Sequence, residues 1–176
     1  GRLWLGLNHG GIRSMRDGQV VPSAEAAAFP EDISAVDLLV DRHGVLWAAT
    51  PQGLWRLADG TAKQVRSGDI RALALHGDVL WVRTRNDGLW KIDGDRTSEH
   101  PDAPGCKGSW VATDVAGTPH TSCAQGIWRW DAAASAWLRI SDASGVGPIH
   151  VDRDGAVWFG ARDGLHCGGN RFPIRT

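Results

Sequence analysis

Two stretches of the chain, DRHGVLWAATPQGLWRL at residues 41–57 and VDRDGAVWFGARDGLHC at residues 151–167, are one pattern written twice. An offset of 111 places Asp41 on Asp152, Gly44 on Gly155, Trp47 on Trp158 and Gly53 on Gly164. An offset of 73 brings in a third copy, DVAGTPHTSCAQGIWRW at 114–130, where His120 takes the place of Trp47 and Cys123 that of Thr50. A fourth, GDVLWVRTRNDGLWKID at 77–93, carries Trp81, Thr84, Gly88 and Trp90 with one residue inserted before the glycine. GRLWLGLNHGGIRSM at 1–15 is a fifth copy that lacks its beginning. The aligned positions 4, 47, 81, 120 and 158 are separated by 43, 34, 39 and 38 residues, a spacing that signals a repeat architecture.

Each copy can be read as backbone. Asp-x-x-Gly is a tight turn, because aspartate bonds local amides and glycine tolerates positive φ. Short alternating runs precede it, such as AVDLLV (35–40) and IRALAL (70–75). After it come LWAAT, LWVRT or VWFGA, a polar link ending in glycine, and then GLWRL, GLWKI or GIWRW. These runs are too short for helices and rich in strand-forming residues. AKQVRS (62–67), SAWLRI (135–140) and RFPIR (171–175) supply a fourth strand. Four antiparallel strands every 40 residues or so predict an all-β fold, a β-propeller of four-stranded blades.

We therefore expect one propeller region over residues 1–176, with blades at 1–30, 31–68, 69–104, 105–143 and 144–176. The first blade begins at its second strand, so the reading is about five blades, a fragment of a larger propeller or a short ring capped by another copy. Trp4, Trp47, Trp81 and Trp158, with Gly53, Gly88, Gly126 and Gly164, form the repeated structural frame. A bulky ring at one fixed position fills the gap between blades, which predicts that Trp47, Trp81 and Trp158 are largely buried.

Composition narrows the function. Nineteen basic against 20 acidic residues leave a net charge of −1, no electrostatic footprint for nucleic acid or an anionic membrane. No apolar run reaches membrane-span length, so any membrane attachment is expected in parts of the chain beyond this sequence. The seven histidines show no His-x-x-x-His and the three cysteines no Cys-x-x-Cys, so no metal site is expected. Nucleophile–base and phosphate-cradling motifs are also missing, so no catalytic residue and no cofactor are expected. The one enzyme class the pattern brings to mind is a propeller-type lyase.

The motif D-x-x-G-x-LW-x-x-T-x-x-GL-x-R/K resembles the two-component-regulator propeller repeat, best at 41–57, 77–92 and 152–165. That resemblance implies a periplasmic sensor domain of a bacterial membrane receptor, joined to a cytoplasmic histidine kinase or diguanylate cyclase. His120, Cys123 and His166 depart from the pattern. Propellers of this family usually have seven blades, so self-association through open blade edges is expected here.

Two local readings remain. Cys106 and Cys123 flank an antiparallel turn, either as a disulfide or as two unrelated buried thiols, with Cys167 left over. The links between second and third strands hold Asn8, His9, Gln52, Arg85, Asn86, Asp87, Gln125, Arg162 and Asp163. They vary within a constant frame and offer donors and acceptors suited to a small ligand such as a sugar, a carbohydrate derivative or a small acid. The alternatives to a sensor are a carbohydrate-binding lectin, which needs exposed rings at equivalent places, and a protein-interaction scaffold.

Overall fold

The computed structural model describes residues 2–107, 110–143, 146–168 and 170–172. Its strands follow the chain as five antiparallel meanders. The first sheet has three strands, β1 (Leu3–Gly6), β2 (Ile12–Arg16) and β3 (Gln19–Val21), followed by a single helical turn, α1 (Ala24–Ala27), which Ser23 caps. The second comprises β4 (Asp37–Val40), β5 (Leu46–Thr50), β6 (Gly53–Ala58) and β7 (Thr61–Ser67). The third runs β8 (Ile70–His76), β9 (Val79–Thr84), β10 (Leu89–Asp93) and β11 (Arg96–His100). The fourth holds β12 (Trp110–Thr113), β13 (Pro119–Cys123), β14 (Gly126–Asp131) and β15 (Ala136–Ser141). The fifth holds β16 (Ile149–Val151), β17 (Val157–Ala161), β18 (Gly164–Cys167) and β19 (Asn170–Phe172). These are the blades of a β-propeller. The end of the expected final strand, residues 173–175, lies outside the described residues.

Two compact units share the chain, residues 1–72 and 73–176, with the boundary inside β8. In the first, Ile12, Phe29, Ile33, Leu46, Ala48 and Leu57 form the core, with Trp4 and Trp55 packed against it. In the second, Ile127, Val146 and Phe159 form one cluster. Four rings form another: His100 stands edge-on to Trp81, Trp130 and Trp137 at centroid distances of 5.0, 4.4 and 5.7 Å.

The Asp-x-x-Gly turns are built alike in blades two, four and five. The glycine amide donates to the aspartate carbonyl at 3.0, 3.0 and 3.1 Å. Gly44, Gly117 and Gly155 take φ of 80, 81 and 81°, the left-handed position that closes a three-residue hairpin loop. Each aspartate Oδ1 accepts two further amides, as Asp41 does from His43 and Val45 at 2.9 Å. The threonine of the motif is explained as well. Thr50 Oγ1 accepts from the Gly53 amide at 3.0 Å and donates to its carbonyl at 2.7 Å, closing the next link. Thr84 closes the corresponding link onto Gly88 and Asp87. Gly126 is fixed by contact, since a Cβ there would stand 2.2 Å from the Ser141 carbonyl oxygen.

The tryptophans need a correction. Trp81 is buried, 6% exposed, but Trp4, Trp47 and Trp158 are only half-buried. The reason is polar. Trp47 Nε1 donates to Asp41 Oδ2 at 3.1 Å, and Trp158 Nε1 to Asp152 Oδ2 at 2.8 Å. The turn aspartate thus holds the turn with one oxygen and the ring with the other, which keeps the indole edge at the rim. His120, in the same register, instead faces the Thr118 carbonyl with Nδ1 at 3.1 Å. Asp41→Ala should therefore cost about 2 kcal/mol and Asp114→Ala about 1 kcal/mol less, because only the first loses an indole partner. Equal losses in denaturant titrations would contradict this division.

Candidate functional site on the strand links

The links between second and third strands carry the residues singled out by sequence, and all nine are exposed. In the first unit, the His9 amide donates to Ser34 Oγ at 2.9 Å, and His9 itself takes φ of 56°. The Gln52 carbonyl accepts from Gln64 Nε2 at 2.7 Å and from the Gly68 amide at 3.3 Å. Asn8 lies in the same link as His9. These bonds fix the backbone and leave the polar side chains at the surface.

In the second unit the links are drawn together by residues 101–106, on the connection that follows β11, of which the sequence singled out only Cys106. Trp137 Nε1 donates to the Pro101 carbonyl at 2.7 Å. The Asp102 carboxylate lies beside Gly88, at the end of the link that carries Arg85, Asn86 and Asp87. Gly105 packs beneath the side chain of Gln125. Cys106 is joined to Cys123 by a disulfide with Cα atoms 5.4 Å apart, and Cys167 is free. Gln125 also offers its carbonyl to Arg139 Nη2. The last link, Arg162 and Asp163, is tied within its own hairpin, where His166 Nε2 meets Asp163 Oδ1 at 2.8 Å and the His166 ring stacks on Phe159.

Beneath this cluster sits Arg83, buried at 1% exposure. Its Nη1 pairs with Asp102 Oδ1, and its Nη2 donates to the Cys106 carbonyl at 2.9 Å. The sequence did contain the signal. In the aligned strands the same position holds Gly6, Ala49, Ser122 and Gly160, so an arginine stands out.

A concavity of the same unit, about 320 Å³, lies at the ends of β8, β12 and β16. His76, Thr113, Asp114, His150, Asp152 and Arg153 line it. Its carboxylates are engaged in the turns, and among the described residues no three metal-ligating side chains stand close enough to share an ion.

Two imidazoles of this unit respond to pH. Burial pulls His100 below its ordinary value, against the opposing pull of the Pro101 carbonyl and the Asp102 carboxylate. Burial likewise lowers His120, 3% exposed, against Thr118 and Asp114. A lowered histidine pKa means the unfolded chain binds the proton more tightly. Its stabilising contribution is complete above the ordinary imidazole value of 6.5 and is lost as pH falls through that value toward the folded one. Thermal melts should thus show the midpoint falling from pH 8 to pH 5, and His120→Asn should shrink that fall. A flat profile would contradict it.

The β-propeller is also what known structures return. An extracellular domain assigned to a hybrid two-component system of B. thetaiotaomicron superposes with a TM-score of 0.77 at 16% identity, over 98% of this chain and 26% of its own. A second such domain from that organism gives 0.74 at 19% identity, over 97% and 25%. Virginiamycin B lyase from Staphylococcus aureus gives 0.75 at 14% identity, over 99% and 67%. The chain spans about a quarter of the two extracellular domains. No protein-family model and no curated protein matches the sequence.

Proposed function

We propose that this chain is part of the extracytoplasmic sensor propeller of a bacterial membrane-bound receptor, which relays ligand binding to a cytoplasmic kinase or cyclase. The observation that carries this reading is the link cluster of the second unit. Polar side chains that differ from blade to blade stand on connections fixed by a disulfide, an ion pair to the buried Arg83 and the Thr84 cap, the arrangement of a binding surface on a rigid frame. Its likeness in fold to extracellular domains assigned to two-component systems supports the same reading. In this role the propeller binds and does not catalyse. A lectin using exposed tryptophans is less well supported, because Asp41 and Asp152 occupy the indole N–H groups of Trp47 and Trp158.

Protease treatment of cells making the full-length protein tests the location. The propeller should resist protease in intact cells and be cleaved in spheroplasts, leaving a membrane-bound remainder. Recovery of an uncleaved protein in the cytosol would overturn the reading. Self-association belongs to the same proposal, since β1 forms the edge of its three-stranded sheet and an open edge invites pairing. Sedimentation of the chain at increasing concentration should show it, and a constant monomer mass would refute it.

A further inference from the structure

Arg83 does something the fold does not require. The aligned strands fill its position with glycine, alanine or serine and still form blades. A guanidinium removed from water is tolerated only when its donors meet acceptors and its charge meets a counter-charge. Here Nη2 meets the Cys106 carbonyl, Nη1 meets Asp102, and Nε has no partner among the described residues. The two ends of the ion pair differ sharply. The arginine side chain is 1% exposed, while that of Asp102 is 37% exposed. The carboxylate therefore reaches the guanidinium from the solvent side, next to the link carrying Arg85, Asn86 and Asp87. On either side of Asp102 the connection is anchored, at Pro101 by Trp137 and at Cys106 by the disulfide. Asp102 can leave without the connection coming undone.

We propose that Arg83 is a buried receptor for a small carboxylate ligand and that Asp102 is its built-in competitor, displaced when the ligand enters beside the 85–88 link. This inference rests on the sensor reading and gives it a ligand class. The chemistry selects that class. A ligand carboxylate brings the same charge and the same acceptor geometry that Asp102 takes away, so the guanidinium is never left uncompensated. A neutral sugar hydroxyl would leave a buried unpaired charge, the costly outcome. Exchange of one carboxylate for another frees the Asp102 side chain, and its release beside the 85–88 link, on a connection that stays anchored at both ends, is the signal. No bond is made or broken.

Chemical rescue with acetate tests this on the intact chain. Asp102→Ala should lower the melting temperature in sodium chloride, and acetate at equal ionic strength and pH 7 should restore it in a saturable way. The double variant Arg83→Ala/Asp102→Ala should show no difference between the two salts. The 15N-labelled Nε–H resonance of Arg83 should shift with acetate in the unaltered chain. Its apparent affinity there should be at least about tenfold weaker than in Asp102→Ala, since the competitor occupies the site. If Asp102→Ala does not fold, Asp102→Asn takes its place in the same comparison. Absence of acetate rescue, equal rescue in the double variant, or an Arg83 resonance that acetate never moves would overturn the proposal. None of these results bears on protease access in spheroplasts, so the receptor role and the Arg83 site fail separately.

Discussion

Trp81→Ala should destabilise the chain by about 3–5 kcal/mol, the range of large aromatic truncations in well-packed cores. The ring is 6% exposed and stands against His100, which in turn meets Trp130 and Trp137, themselves 5.5 Å apart. Its removal leaves His100 without one wall of its enclosure. One effect works in the opposite direction. Trp81 Nε1 is buried with no partner among the described residues, so its desolvation penalty disappears with the ring. The loss should therefore lie at the lower end of the range, near 3 kcal/mol. Urea unfolding reads it, and a midpoint shift equivalent to less than about 1 kcal/mol would show that the cluster is not a core. Trp158→Ala should cost less, because that ring is only half-buried.

The blade pattern was legible because its devices are local. Asp41, Gly44 and Thr50 act within their own hairpins, across at most five residues, and short-range chemistry of that kind leaves a fixed spacing in the sequence. The link residues were legible for the same reason, as variable positions between constant ones. What the spacing could not show is which partner a side chain finds at longer range. Asp41 and Trp47 are six residues apart, as are Asp152 and Trp158, yet the spacing does not reveal that one carboxylate oxygen is reserved for the indole. That bond turned the expected buried ring into a half-buried one. Arg83 reaches Asp102 and Cys106, 19 and 23 residues away in the next connection, and no repeat position encodes that reach. The residues that depart from the pattern are where these longer-range bonds form.

Cys123 is such a departure, and its removal gives the second large effect. It stands where Thr50 and Thr84 close their links, so blade four lacks the hydroxyl cap and holds the same link by the bond to Cys106. Cross-linking residues 17 apart restricts the unfolded chain, a contribution of about 3 kcal/mol in the loop-entropy account. Cys106→Ala/Cys123→Ala should lose about that much. Cys106→Ala/Cys123→Thr should recover about 1 kcal/mol of it, because threonine restores the cap used in blades two and three. Recovery by threonine separates the link-closing role from chain restriction, which both double variants lose equally. Alkylation and mass measurement check the bond itself. One thiol, Cys167, should react before reduction and three after it. Three reactive thiols in an oxidised preparation would refute the bridge, and equal stabilities of the two double variants would refute the threonine equivalence.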